Sequence, residues 1–420
     1  MMEQLTTFDD ALGMVLDAAP RPRREIVDLK DSCGRVLARD IRADRDLPPF
    51  DRAALDGYAF RVGGKSEGEP VWPVVGEVAA GSRPPRELKE GTSIRIWTGA
   101  PVPRGAQGIV PVEEATEVAG GVLLSLPGSA GGRKRAAIAL RGEDARRGDR
   151  LFARGTRLRH AALPVLAAVG VHRVPVHARP TLAVVSTGDE LVPAAGRPSP
   201  VQIRSSNDLL IRSLVAAAGV SSVNDLGIAR DEPALLKKAL ARGLEAEILV
   251  VSGGVSAGRL DHVPAVLRDL GVRVVFHKVA IRPGKPLLFG VRSLAGRRTA
   301  VFGLPGNPVG VLVTAVEFLL PFIRRFQGEV PSVDLPLPVR IETAMRRGGD
   351  LLHFVPCALD VDTEGSMRAR EIPLRGSGDF AAASRTDALL RVPGDGVGRE
   401  SGSVLTADLL PGGAPRGEGR

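Results

Sequence analysis

Hydrophobic and polar positions change their rhythm several times along the chain. Residues 7–18 place Phe8, Ala11, Leu12, Val15 and Leu16 at helical spacing, with Thr7 set to cap and Asp10 in the first turn, which predicts an amphipathic helix. From about 45 to 146 the helical period is lost. Short β-prone runs (VWPVVGEV, TSIRIWTG, GIVPVEEATEV, GVLLSL) alternate there with Gly/Pro turns, the pattern of a mostly β insertion. Residues 159–169 regain helical character and stop at Gly170, so this segment is expected to pack back on the N-terminal helix.

After about 179, strand, loop and helix follow in rotation. The runs 181–186, 247–252, 272–276 and 299–304 are apolar throughout, as in strands buried on both faces of a parallel sheet. Helices are predicted at 207–218, 232–243, 262–270 and 309–326. The fold class is therefore α/β multidomain, with an open, mostly parallel sheet whose ligands are expected at the C-terminal strand ends. From about 331, alternating segments (LPLPVRIETAM, LLHFVPCALDV, MRAREIPL, DALLRVP, GSVLTADLL) predict a small C-terminal β domain. The division that follows is 1–44 with 147–178 as a discontinuous helical domain and 45–146 as a β-rich insertion. Residues 179–330 form the α/β domain, 331–412 the C-terminal β domain and 413–420 a tail.

Composition narrows the function classes. A chain of 420 residues with 44% hydrophobic content has enough apolar material for several cores. Its net charge of +9 favours anionic partners. Aromatic residues make up only 4%, and none interleaves with the basic clusters at 133–135 and 146–147, so nucleic acid is not the expected partner. Small phosphorylated ligands and oxyanions fit better. The apolar runs 246–251 and 309–320 fall short of the roughly 18 residues a membrane span needs, and the acidic N-terminus lacks signal-peptide character. A cytoplasmic protein without membrane association is expected. Cys33 and Cys357 stand alone and far apart, so both are read as structural.

Candidate chemistry follows the strand ends. Ser186-Thr187-Gly188-Asp189-Glu190-Leu191 joins a glycine and hydroxyls suited to phosphate with paired carboxylates suited to a hard cation. An ordinary polar turn is the alternative. Ser252-Gly253-Gly254-Val255-Ser256-Ala257-Gly258 makes a loop whose N–H groups are able to line an anion pocket, with Asp261 as helix cap or magnesium ligand. Arg282-Pro283-Gly284-Lys285-Pro286 carries two cations on a turn stiffened by proline, suited to an oxyanion. In Gly303-Leu304-Pro305-Gly306-Asn307-Pro308 a strand closes and a helix begins, with Pro308 in its first turn. His262 and His277 lie near these motifs and read as packed or capping residues. In the insertion, the segments 51–59 (DRAALDGYA), 95–103 (RIWTGAPVP) and 141–144 (RGED) read as surface loops.

In series, DGYA, TGAPVP, RGED, STGDEL, SGGVSxG with a following aspartate, IxPGKP and GLPGNP resemble the molybdopterin molybdotransferase family, which includes bacterial MoeA and the gephyrin E domain. The likeness spans nearly the whole chain. It implies a MoaB/MogA-like α/β domain and insertion of molybdate into adenylyl-molybdopterin with magnesium-dependent release of AMP. It also implies a homodimer whose active site is shared between subunits. Its partners would include molybdopterin adenylyltransferase and molybdoenzyme maturation proteins. Carried onto this sequence, the catalytic set is Asp56, Asp144, Glu190, Asp231 and Asp261, with Asp189, Glu190 and Asp261 toward the metal. Thr98, Ser186, Thr187, Gly188, Ser252, Gly253, Gly254 and Ser256 would bind substrate. Arg282 and Lys285 match the molybdate-side cations, and Pro305 and Pro308 shape the neighbouring loop. Arg282 stands where the family commonly has lysine, which exchanges a point charge for a fork. Leu55 replaces a frequent methionine, Arg52 a small polar residue and Gly310 a frequent serine. Gly376-Ser377-Gly378-Asp379 and Ser384 resemble a family loop only loosely. Tungstate, another tetrahedral dianion of similar size, would fit the same cations. The alternatives are molybdopterin adenylyltransferase and a molybdopterin-binding scaffold.

Overall fold

The computed structural model describes all residues except 1–4, 64–70, 126–136, 256–260, 332–334 and 418–420. The chain forms two compact units, one of Met1–Ala38, Gly155–Arg159 and Val174–Arg420, the other of Arg39–Arg154 and His160–Arg173.

Helix α1 (Phe8–Asp17) begins as its capping residue requires, with the Thr7 hydroxyl accepting from the Asp10 N–H at 3.2 Å. It belongs to the first unit, where strand β1 (Arg24–Asp28) also lies. The second unit is built on a four-stranded sheet of β2 (Gly57–Arg61), β3 (Val74–Val78), β4 (Thr92–Ile96) and β5 (Gly108–Pro111), in the order β3-β4-β2-β5. Ala59, Val78, Ile94, Ile96 and Ile109 fill its core. Helix α2 (Ala162–Ala168) also falls in this unit, and Gly170, at φ +73°, ends it. Helix α1 instead packs on the far C-terminal half of the first unit, where Phe8 meets Phe318 and Phe354 edge to face. The two helical segments thus fall in different units.

Strand β6 (Arg173–His177) pairs with β1 and leads into the α/β layers. These comprise β7 (Leu182–Thr187), α3 (Asn207–Ala217), β8 (Val223–Ala229), α4 (Pro233–Gly243), β9 (Ile248–Ser252), α5 (Val263–Asp269) and β10 (Arg273–His277). They continue through β11 (Ile281–Arg282), β12 (Leu288–Leu294), β13 (Arg297–Leu304), α6 (Pro308–Thr314) and α7 (Leu320–Phe326). The sheet order is β8-β7-β9-β13-β12-β10, parallel over the first four strands and antiparallel at β12. Every residue of β7 and β9 is buried. One face packs Val184, Val250 and Phe302 against α1, α3, α6 and α7; the other packs Val185, Leu249 and Val301 against α4 and α5.

Strand β8 escapes a search for continuous apolar runs because it is the exposed edge and carries Asn224 and Asp225. The expected single helix 309–326 is interrupted by a π-helical turn, Ala315–Leu319. Pro321 has no N–H to close the α-helical bond back to residue 317, which accounts for the widening.

The remaining chain supplies β14 (Leu337–Ile341), β15 (Leu352–Val361), β16 (Met367–Glu371), α8 (Phe380–Ala383), β17 (Ala388–Pro393) and β18 (Val404–Leu409). Pairing runs β15-β16-β14-β18-β17 and returns to β15, closing a small barrel around Ile341, Cys357, Leu359 and Leu390. Burial in that core pushes the Cys357 thiol up to about 12, as befits a structural cysteine. Strand β11 adds to β15 in parallel, pairing Arg282 with His353.

Candidate functional site

Parallel strands β7, β9 and β13 end side by side, so the loops that follow them share one edge. Gly253 and Gly254 adopt φ +93° and +64°, which favour glycine. A Cβ on Gly253 would lie 2.6 Å from the Thr187 carbonyl, and one on Gly254 2.8 Å from the Thr187 hydroxyl. Neither loop tolerates a side chain there. Asn207, opening α3, binds the loops together: its Nδ2 donates to the Ser252 hydroxyl at 2.9 Å and to the Gly306 carbonyl at 2.8 Å. The Thr187 hydroxyl and Asn207 Oδ1 are buried without a protein partner. Ser186 and Ser252 are buried, and Ser205 hydrogen-bonds to both Asp208 and Ser186.

Beyond this edge lie the carboxylates. Asp189 accepts from the Asp231 N–H at 3.3 Å, and Asp189 and Glu190 are exposed. Asp231 is raised above the ordinary aspartate range by burial first, then by the negative charge of Asp189, Glu190 and Asp261. The charges of Asp189, Glu190 and Asp261 thus all act on Asp231, which brings four carboxylates into one neighbourhood. No set of three His, Cys, Asp or Glu side chains among the described residues is already arranged as a ligand cage. Magnesium, which commonly takes one or two carboxylates and completes its shell with substrate phosphates and water, fits that arrangement. Asp261 lies one residue before His262, the N-cap position of α5, so it does not occupy the cap. The His277 ring contacts the Val255 carbonyl at 2.6 Å and braces the glycine loop. Ser256 lies outside the described residues.

Next to these loops is a cavity of about 580 Å³. Arg282, Lys285, Pro305 and Gly310 line it, as do Arg347, His353, Glu371 and Ser377 from the C-terminal domain. Arg347 pairs with Glu371 at 2.6 Å. Asn307 Nδ2 donates to the Ser377 hydroxyl at 2.8 Å, and the Val309 N–H donates to the Ser377 carbonyl at 3.2 Å, so the barrel's loop is fixed to the start of α6. Pro308 stands in the first turn of that helix. A Cβ on Gly310 would meet the Pro305 ring at 3.1 Å, which shows how closely the helix and the proline loop pack there. Asp379 acts locally by capping α8, where it accepts from the Ala382 and Arg375 N–H groups, and these bonds lower its pKa. Ser384 donates to the Ala381 carbonyl at the other end of that helix.

In the second unit the three insertion motifs converge. Asp51 accepts from the Arg141 N–H at 2.9 Å through its carboxylate and from the Val102 N–H at 2.8 Å through its carbonyl. Asp56 accepts from both the N–H and the hydroxyl of Thr98 at 2.7 Å, and these bonds hold its carboxyl below the usual range. Asp56, Thr98 and Asp144 are all exposed. Arg95 stacks over Tyr58 and Trp97 beside them.

Sequence reasoning missed Asn207, Arg347 and His353. Arg347 and His353 lie in a β domain without a strand-end rule to mark them. Asn207 had one usable signal, its place at the start of a helix following the first motif loop.

Three family descriptions match in succession: the MoeA N-terminal region (domain I and II) over 6–170, a probable molybdopterin binding domain over 183–325, and the MoeA C-terminal region (domain IV) over 338–410. A molybdopterin molybdenumtransferase of Bacillus subtilis is 32% identical over 98% of this chain and 96% of its own. One from Synechocystis is 31% identical over 87% and 90%. Among solved structures, a molybdopterin biosynthesis MoeA protein of Pyrococcus horikosii superposes with a TM-score of 0.76 at 30% identity, covering 97% of this chain and 99% of that one.

Proposed function

On the premise that this chain belongs to the MoeA family of molybdopterin molybdenumtransferases, we propose that it inserts molybdate into adenylyl-molybdopterin and releases AMP with the help of magnesium. The protein is a transferase of molybdenum cofactor synthesis. One observation carries the finer reading: the cavity holding Arg282, Lys285 and Arg347 is lined also by Pro305 and Asn307 of the loop after β13, and Asn207 ties that loop's Gly306 carbonyl to Ser252 at the end of β9.

Cleaving a phosphoanhydride needs charge neutralisation and alignment more than covalent catalysis. The chemistry a bound magnesium supplies is neutralisation of charge on the phosphate oxygens. Asp189, Glu190 and Asp261 would hold it, with Asp231 behind them. The Gly253–Gly254 amides, with Ser186, Thr187, Gly188 and Ser252, orient the phosphates. Ser256 belongs to the same proposed set. Arg282 and Lys285, joined by Arg347 and Ser377, retain the oxyanion while Pro305 and Pro308 hold the loop's shape. Asp56, Thr98 and Asp144 complete the site from the partner subunit of a homodimer. The domain division stated above is part of the same reading, as are cytoplasmic residence and exchange with adenylyltransferase and molybdoenzyme maturation proteins. The described residues contain no helix long and apolar enough to cross a membrane.

The test supplies purified protein with adenylyl-molybdopterin, molybdate and magnesium, and measures AMP and active cofactor. Molybdate-dependent AMP release is expected. ATP consumption without it would replace this reading with adenylyltransferase activity.

A further inference from the structure

His353 lies in β15 directly opposite Arg282 in β11, in the wall of the oxyanion cavity. Its residue is 8% exposed, and its Nε2 is sealed from solvent without a partner. Arg282, Lys285 and Arg347 bring positive charge to the same cavity, and Glu371 brings the negative charge that pairs with Arg347. On the strand at its other side His353 faces Val392, which offers no charge.

A buried imidazole in that setting prefers to stay neutral. Burial first, then Arg347 and Arg282, lower its pKa, against a hydrogen bond with the Gly348 backbone. The groups that keep a proton off His353 are therefore the groups that would hold an anion.

We propose that capture of a tetrahedral oxyanion dianion by Arg282, Lys285 and Arg347 is coupled to uptake of one solvent proton by His353. The inference rests on the oxyanion assignment made above. The dianion offsets the two guanidinium charges facing the ring, and the imidazolium that forms adds a further positive charge to hold it. Binding and protonation therefore help each other, as linkage requires. Oxyanion affinity should fall as pH rises above the free protein's His353 pKa, by about tenfold per pH unit where one full proton is taken up. His353 is then a positioning residue that makes oxyanion capture favour lower pH.

Calorimetry of the full chain with sodium molybdate, run near neutral pH in two amine buffers of different ionisation enthalpy, counts the protons. The expected result is net proton uptake in the unaltered protein. His353→Asn and His353→Gln should bind molybdate with no uptake and with a flat pH dependence. Selective isotope labelling of the six histidines follows the His353 ring in the unaltered protein, so the outcome does not depend on either variant folding. Molybdate should convert that ring from imidazole to imidazolium. Molybdate binding without uptake, uptake that survives in a folded His353 variant, or a ring that stays neutral overturns the coupling alone. Failure of molybdate to bind at all removes the oxyanion assignment and the coupling with it.

Discussion

Replacing Arg391 by methionine should cost about 3 kcal/mol of stability at neutral pH, near the low end of the range for breaking a buried ion pair. Arg391 grips Asp408 with two hydrogen bonds, reaches Glu317 at 3.3 Å and stacks over Phe8 and Phe354 at 5.1 and 5.9 Å. The Glu317 side chain is only 3% exposed and that of Asp408 13%. Removing the guanidinium takes away both hydrogen bonds to Asp408 and the contact with Glu317. Arg391 itself is 21% exposed, and a carboxyl is able to take up a proton, which argues for the low end of the range. Methionine keeps much of the contact with the two rings, so the charge effect is isolated. Both tryptophans and the only tyrosine fall in the second unit, whereas among the described residues every α-helix except α2 is in the first. Urea unfolding followed by far-ultraviolet circular dichroism is therefore weighted to the first unit, which holds most of the helix. The loss should appear as a lower midpoint in the circular dichroism signal. Adding Glu317→Gln to Arg391→Met should recover roughly 1–2 kcal/mol, since the pair is coupled. A loss below about 1 kcal/mol, or no recovery in the double variant, would refute the view that the arginine compensates a buried charge pair.

Glu317 alone gives a pH test. Burial, then Asp408, raises its pKa well above the usual glutamate range, against the pull of Arg391. A raised carboxyl favours its protonated form when folded, so its contribution is fully present below the unfolded pKa and is lost as pH rises through the folded one. Glu317→Gln should thus gain stability over the parent as pH rises from the ordinary glutamate range upward, seen in thermal melts; a gain that shrinks would contradict the assignment. Gly254→Ala should reduce AMP release by about tenfold or more, because its φ of +64° and the 2.8 Å approach to Thr187 and Val263 leave no room for a methyl, whereas unchanged turnover would show the loop to be adaptable. Asp261→Ala should abolish AMP release while leaving the unfolding curve in place, and retained turnover would remove it from the metal set. Under the proposed site shared between two subunits, mixing Asp56→Asn and Asp261→Ala subunits should restore part of the activity, because one of the two sites would keep both aspartates; no complementation would argue against sharing.

Elements whose cause is local were legible in the residues alone. Thr7 caps α1, Pro308 starts α6, and the runs 181–186 and 247–252 are strands because residues apolar on both sides of a pleat must be covered twice. The loops after them carried their chemistry in their composition, since Gly253 and Gly254 permit what other residues do not. Contacts between distant segments settled the rest. α1 packs on an aromatic cluster far along the chain, at Phe318 and Phe354, and the amphipathic pattern does not say which apolar surface will cover a stripe. Strand β8 was hidden because an edge strand needs no continuous apolar run. Arg347, His353 and Ser377 reached the cavity only because the barrel docks at the start of α6 through Ser377 and at Arg282 through β15. A pattern read along the chain records what each residue prefers to bury; only folding decides which charges come to face one another across a cavity.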